Sequence, residues 1–270
     1  MKIIQNGVDV DNNNIYLDVD GLIVSGTDET QNTWMDAKYN GVAITPRNGK
    51  VVEVNSMWYN ANMIMAKLSK KFGEASNSKK YEALAKKCKI EFNDKFYNEN
   101  TKCLEDVLGD RKVRPNQLFA LSLTYPIVEP TSEQAKNIIK VVENKLLNDY
   151  GLKTLASDEE KYVAIYEGDG EKRDSSYHQG ITWPWLLGLY YNSLKNIVKE
   201  TKNKKEKQEI EKKLEKFVQN TKKTFEKEID QRGCIGSIAE LYDSEGEQLP
   251  KGTIAQAWSI SEIIRIILNK

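Results

Sequence analysis

Apolar residues recur at helical spacing along most of this chain, and they mark out seven helices. Between residues 53 and 72, Val54, Met57, Trp58, Ala61, Ile64, Met65 and Leu68 fall on one face, which predicts the buried side of a first helix. A second helix is expected over residues 79–97. A short one starts at Pro115, a residue suited to the first helical turn. Residues 131–147 repeat the pattern through Ala135, Ile138, Ile139, Val142 and Leu146, and Trp183, Leu186, Leu187, Tyr190, Leu194 and Val198 mark the next helix. Residues 204–228 are heavily charged around a thin stripe of Ile210, Leu214, Phe217 and Phe225; interspersed Lys and Glu read as a solvated outer face. The last helix is expected from Ile254 onward, with Thr253 and Gln256 spaced as a capping box. No sheet is expected beyond small hairpins near residues 41–45 and 49–52. The predicted class is therefore all-α.

Three connections, residues 21–52, 152–181 and 233–252, are too long for plain linkers. They carry Trp34, Tyr39, Tyr162, Tyr166, Tyr177 and Tyr242, which is not the composition of a disordered segment. They read as ordered loops gathered at one end of a helical scaffold. No linker divides the chain, so the whole of residues 1–270 is read as one domain.

Charge and composition narrow the partners. Lys plus Arg and Asp plus Glu are both 40, a balance that argues against a nucleic-acid binder. Three cysteines without a CxxC pair and a single histidine speak against a disulfide framework or a zinc site. No apolar run approaches a membrane span and no signal-peptide pattern opens the chain, so a cytoplasmic protein without membrane partners is expected.

The chemistry sits in the loops. Asp36 lies between Trp34-Met35 and Ala37, where enclosing apolar neighbours would favour a protonated carboxyl, the need of a general acid. A turn-capping Asp fits the same residues. The second loop ends RDSSYHQGITWPW (173–185), with flat aromatic faces on which a pyranose could stack and polar groups for its hydroxyls. Core packing explains Trp183 equally well, while the polar neighbourhood of His178 favours ligand contact. Glu240 follows Gly233 and Gly236 and stands between Ala239 and Leu241. Opposite Asp36 it would complete a carboxylate pair suited to glycoside hydrolysis; an ordinary surface Glu is the alternative. Spacing does not show that the two face each other.

The blocks TWMDAKYNGVAITPRNGKVVEVNSMWYNA (33–61), RPNQLFALSL (114–123), GLKTLASDEEKYVAIYEGDGEKRDSSYHQGITWPWLLG (151–188) and GSIAELYDSEGEQLPKGTIAQAWSISEIIR (236–265) resemble, in order, the C-terminal glucosidase region of glycogen debranching enzymes. The resemblance implies a glucoamylase-like α/α toroid and an inverting amylo-α-1,6-glucosidase acting on a branched α-glucan without a cofactor or metal. It assigns the general acid to Asp36 and the general base to Glu240. It offers Trp34, Arg47, Glu53, Asn55, Asn116, Arg173, Asp174, His178, Gln179, Trp183 and Trp185 as substrate-binding residues; Gln256 is set aside because capping accounts for it. A complete toroid has twelve helices against about seven here, and residues 6–22 resemble the linker before the first block. The chain thus reads as a C-terminal portion, with the first helices and an upstream glucan-binding domain absent. An open toroid would expose apolar inner faces, so a chain supplying the missing helices is an expected partner. A related α-1,4 exo-glucosidase and a non-catalytic glucan-binding or assembly fragment remain open as alternatives.

Overall fold

The computed structural model describes residues 13–268, and they form eight α-helices and eleven short β-strands. The helices are α1 (Val52–Lys71), α2 (Ala75–Lys95), α3 (Phe119–Ser122), α4 (Glu133–Lys145), α5 (Gly170–Ser176), α6 (Leu187–Glu200), α7 (Lys204–Gln231) and α8 (Ala257–Ile267). Tight 3-10 turns at Pro115–Leu118 and Pro184–Leu186 lead into α3 and α6, each with proline in its first turn where no N–H is needed. Helix α1 touches α3, α3 touches α6, and α6 touches α8. Behind this row α2 packs on α1, α4 on the turn before α3, and α7 on both α6 and α8.

The amphipathic helices bury the faces that their sequences predict. In α4, Ala135, Ile138, Ile139 and Val142 are buried, and Ser132 caps the helix by accepting from the Ala135 N–H at 3.1 Å. In α7, Phe225 is buried and Ile210, Leu214 and Phe217 lean on the core, so the charged residues, buried Glu228 excepted, face outward. Leu214 and Phe217 touch both hydrophobic clusters of the molecule, a large one under α1 to α6 and a smaller one between α6, α7 and α8.

Helix α1 bears out only part of its expected buried face: Trp58 is buried and Val54, Ala61 and Met65 are half-buried, but a polar side is also turned inward. Asn55, Ser56, Trp58, Tyr59, Asn62, Ala66 and Ser69 are buried, whereas Met57, Ile64 and Leu68 are exposed. The polar face can pack inward because several of its donors bond to the helix's own backbone, although Asn62 Oδ1 has no partner. Ser56 Oγ donates to the Val52 carbonyl and Asn62 Nδ2 to that of Trp58, both at 2.8 Å. Small residues on that face also let α2 approach closely. Helix α8 likewise leaves Trp258, Ile264 and Leu268 exposed at the other end of the row.

The expectation of an all-α chain is corrected by a five-stranded antiparallel sheet. Its order is β11 (Pro250–Lys251), β10 (Leu241–Tyr242), β9 (Thr182–Trp183), β8 (Gly151–Lys153) and β7 (Leu147–Asn148). Runs of two or three residues have no alternation to read, and their partners come from distant loops. Separate two-stranded pairs join β1 (Tyr16–Leu17) to β2 (Ile23–Val24), β3 (Lys38–Tyr39) to β4 (Val42–Ala43), and β5 (Tyr97–Asn98) to β6 (Cys103–Leu104). The β3–β4 hairpin turns on Asn40 and Gly41, both at positive φ (48° and 78°), as an Asn-Gly turn requires. The second expected hairpin is absent. Gly49 and Val51 make isolated bridges to Ser25 and Val107, and α1 begins at Val52. Of the expected linker, the part before residue 13 lies outside the described residues, and the rest carries β1, which pairs with β2 just after it.

Candidate functional site

The sheet brings the second and third loops together. Thr182 of β9 pairs with Tyr242 of β10, so the residues preceding each strand, Tyr177 and Glu240, come into contact. Glu240 is not a surface residue on a helical turn but is buried to 7% exposure immediately before β10. Its Oε1 accepts the Tyr177 hydroxyl and the Gln256 amide, the latter at 3.4 Å. Its Oε2 accepts the Thr253 backbone N–H at 2.8 Å, and its own N–H donates to the Thr253 carbonyl at 2.9 Å. Gly252, at φ +70°, completes this arrangement. A Cβ there would stand 2.5 Å from Glu240 Oε2, so only glycine fits both the backbone and the space.

The capping box does not form, because α8 starts at Ala257 with Gln256 at its N-cap. Thr253 and Gln256 instead hold the Glu240 carboxylate. Gln256 does cap α8, its Oε1 accepting the Ala257 N–H at 3.2 Å, but the same amide group donates to Glu240, so capping does not take it out of the site.

Asp36 comes from the first loop. It is exposed, whereas Met35 beside it is fully buried and Trp34 is packed between other rings. The apolar neighbours thus turn inward and anchor the loop without enclosing the carboxyl. Trp34 Nε1 donates to Asn116 Oδ1 at 2.7 Å, and Asn116 Nδ2 donates to Asp106 at 2.8 Å. Helix α5 packs against β3, just after Asp36, and delivers Tyr177 at its end. The Tyr177 phenol has its pKa raised first by burial, then by Glu240, and further by Tyr166 and Asp36. Glu240 bonds this half-buried tyrosine directly, and Asp36 adds the smallest of these effects.

Beneath the loops lies a buried charge network. Arg47 makes a two-pronged pair with Glu53, including Nη2 to Oε2 at 2.6 Å, and Arg47 Nε reaches Asp106 Oδ2 at 2.6 Å. Burial disfavours the Arg47 charge, but Asp106 and Glu53 outweigh it and raise its pKa. Arg114 donates to the Thr154 and His178 carbonyls and to Gln179 Oε1, at 2.9, 2.7 and 3.0 Å. Gln179 in turn donates to Thr45 Oγ1 at 2.9 Å, fastening the first loop to the second.

Of the eleven residues expected to bind substrate, the structure buries seven. Arg47, Glu53, Asn116 and Gln179 hold the loops as described. Asn55 clamps β2 through both backbone groups of Ile23. Trp183 is 1% exposed, with its Nε1 donating to the Tyr177 carbonyl at 3.1 Å. His178 is wholly buried against the Trp183 ring at 5.5 Å, with neither ring nitrogen hydrogen-bonded. Burial, then the charges of Arg114 and Arg47, push its pKa down to about 3. A neutral imidazole locked among rings does not meet a sugar, so direct contact by His178 is corrected. Asp174 and Trp185 are partly exposed and Arg173 is exposed, so these remain at the surface. Trp34 is partly exposed at the centre of the ring cluster, 5.0 Å from Trp185 and 5.3 Å from His178.

Sequence reasoning named Tyr177 only among the loop aromatics, and passed over Asp106 and Trp258. Trp258 stacks face to face on Trp185 with centroids 5.1 Å apart, and it stays 36% exposed two residues after Gln256. Its signal was an aromatic residue two positions after the Gln of the late block. Asp106, among Leu104, Glu105 and Val107, gave none.

Comparison with known proteins gives these loops a context. The amylo-alpha-1,6-glucosidase family model matches residues 1–265. The chain belongs to this family. It is 24% identical over 298 aligned positions to a glycogen debranching enzyme of Saccharomyces cerevisiae, covering 91% of the chain and 19% of that relative. The chain thus spans about a fifth of the length of the curated relative it matches. Among solved structures, a sialidase superposes with a TM-score of 0.59 at 12% identity, over 80% of this chain and 19% of the other. A GH63 mannosylglycerate hydrolase from Thermus thermophilus, in complex with Tris, gives 0.53 at 11% identity, over 83% and 46%. The same hydrolase in complex with glucose gives 0.52 at 12%, over 82% and 48%. These likenesses establish a shared helical fold. Among the described residues no helix is long and apolar enough to cross a membrane.

Proposed function

We propose that the chain is the glucosidase portion of a debranching enzyme and hydrolyses α-1,6-linked glucose at the branch points of an α-glucan. Asp36, in its acid form, donates a proton to the leaving glycosidic oxygen. Glu240 takes a proton from a water that attacks the opposite face of the anomeric carbon, and inverted β-glucose leaves. Such a pair stands ~6.5–9.5 Å apart to admit the water, and needs no cofactor. The observation that carries this reading is the Glu240 carboxylate, buried yet held by three protein donors, beside a tyrosine that also feels exposed Asp36. A carboxylate fixed in this way suits a base, and an exposed one on an anchored loop can reach a leaving group. The Trp185–Trp258 pair is the apolar wall for a sugar face, with Arg173 and Asp174 at the rim.

Replacement of either carboxylate by its amide tests the assignment. Asp36→Asn and Glu240→Gln should each lower glucose release from limit dextrin by about 1000-fold or more while the thermal midpoint stays put. Near-normal turnover in either variant rejects the pair.

The apolar stripes at both ends of the helix row favour a further element of the reading. Met57, Ile64 and Leu68 on α1, and Ile264 and Leu268 at the end of α8, are faces on which more helices would pack to close a toroid. A chain that supplies those helices should then raise the rate of glucose release. Glucan retention on a native gel without glucose release, reversed by adding such a chain, is the expected result if this chain alone is an assembly fragment.

A further inference from the structure

Glu240 is restrained unevenly at its two oxygens. A carboxylate offers about four acceptor positions, two on each oxygen. Oε1 takes both the Tyr177 hydroxyl and the Gln256 amide, whereas Oε2 takes one donor from the protein, the Thr253 N–H. The free acceptor position therefore lies on Oε2. The phenol that engages Oε1 is itself fixed. The Tyr177 ring lies edge-on to Trp183 at 4.9 Å and tilted to His178 at 4.7 Å, and its carbonyl accepts the Trp183 indole N–H. This explains an otherwise idle feature, a histidine buried with no hydrogen bond. His178 and Trp183 form the rigid bed on which the tyrosine rests.

We infer that Tyr177 is the positioning residue of the general base: by engaging Oε1 it turns the carboxylate so that Oε2 faces the attacking water. The inference rests on the proposed role of Glu240. In the reaction the C–O bond to the leaving sugar breaks as its oxygen gains the Asp36 proton. A water oxygen bonds to the anomeric carbon, and the proton it loses goes to Oε2. Tyr177 keeps its own proton throughout and touches no substrate atom. Its work is to hold the base in register, where a rotated carboxylate would be out of reach.

Tyr177→Phe keeps the ring and removes the donor. The decisive substrates are limit dextrin, whose leaving group needs the acid, and α-glucosyl fluoride. With the fluoride substrate the C–F bond breaks, fluoride departs without a proton, and water still needs the base. Loss of one hydrogen bond to a charged group should lower kcat by about 10- to 100-fold, with KM held within about twofold. The fall should be equal for the two substrates, because it acts through Glu240. Asp36→Asn should instead spare the fluoride. Equal rates in Tyr177→Phe and the unsubstituted protein overturn the inference alone, provided that Glu240→Gln is dead on both substrates. A loss confined to limit dextrin also overturns it, placing the tyrosine on the acid side.

Misfolding is separated by a second background. In Glu240→Ala, azide can attack α-glucosyl fluoride directly, and that rescued rate should be indifferent to Tyr177→Phe. A further drop there assigns the tyrosine a merely structural part. A fully active Glu240→Gln protein, or an unsubstituted chain that turns over neither substrate, defeats the reading of the base, and the inference falls with it.

Discussion

Lowering the pH from 7 to 5 loads a proton onto His178 in the unfolded chain but not in the folded one. Unfolded, the imidazole titrates near its ordinary 6.5; folded, burial and the nearby Arg114 and Arg47 hold it near 3. A histidine whose folded pKa is depressed contributes stability that is full above 6.5 and is lost as the pH falls towards 3. Between pH 7 and pH 5 the loss is about 2 kcal/mol. The figure barely changes for any folded value below about 4. The ring is completely buried, so solvent screening does not reduce it. Urea unfolding at the two pH values should show this loss in the unsubstituted protein. His178→Phe, which keeps a flat ring and cannot titrate, should lack about 2 kcal/mol of the pH dependence, while titration of all other groups cancels in the comparison. Because the sequence holds one histidine, its NMR signal is unambiguous. It should not shift between pH 7 and 5 in the folded protein, and should titrate near its ordinary value in urea. Equal pH dependence in both proteins, or a folded imidazole that titrates above pH 5, refutes the reasoning.

Other consequences follow from the same geometry. Gly252→Ala forces a Cβ to 2.5 Å from Glu240 Oε2 at a φ of +70°, so glucose release should fall by at least about 10-fold while urea stability drops by roughly 1–3 kcal/mol. Unchanged kcat would contradict the close approach. Glu53→Gln leaves Arg47 buried with Asp106 as its remaining carboxylate partner, and denaturant melts should show a loss of about 3–5 kcal/mol. A loss below about 1 kcal/mol would mean that the network does not bind the loops together. Trp258→Ala should raise KM for limit dextrin by roughly 3- to 10-fold with kcat little changed, as removal of an aromatic wall predicts. An unaltered KM would take Trp258 out of the sugar site.

Legibility in the sequence followed local amphipathicity. Helices α4 and α7 were readable because their apolar stripes are also their buried faces. Helix α1 misled because its most regular stripe, Met57, Ile64 and Leu68, is exposed, and its buried face carries Asn55, Ser56, Asn62 and Ser69. Periodicity locates such a helix but cannot orient it when the polar side bonds to its own backbone. Helix α5, GEKRDSS, offered no apolar residue at all and was hidden inside a loop. The sheet escaped notice because two-residue strands carry no pattern. Asp36 and Glu240 stood out as carboxylates between apolar neighbours, yet their roles came from the family resemblance. What encloses Glu240 is Tyr177, Thr253 and Gln256, contributed 63 residues upstream and 13 and 16 residues downstream and assembled by pairing of β9 with β10. Long-range pairing of that kind leaves no local trace.

The central claim concerns a water activated by Glu240 and delivered to the face opposite Asp36, and the anomeric form of newborn glucose records it. Proton NMR during the first minutes on limit dextrin, before mutarotation, should show β-glucose appearing first and the α-anomer growing in later. Appearance of α-glucose first would mean retention through a covalent intermediate, and would contradict the account.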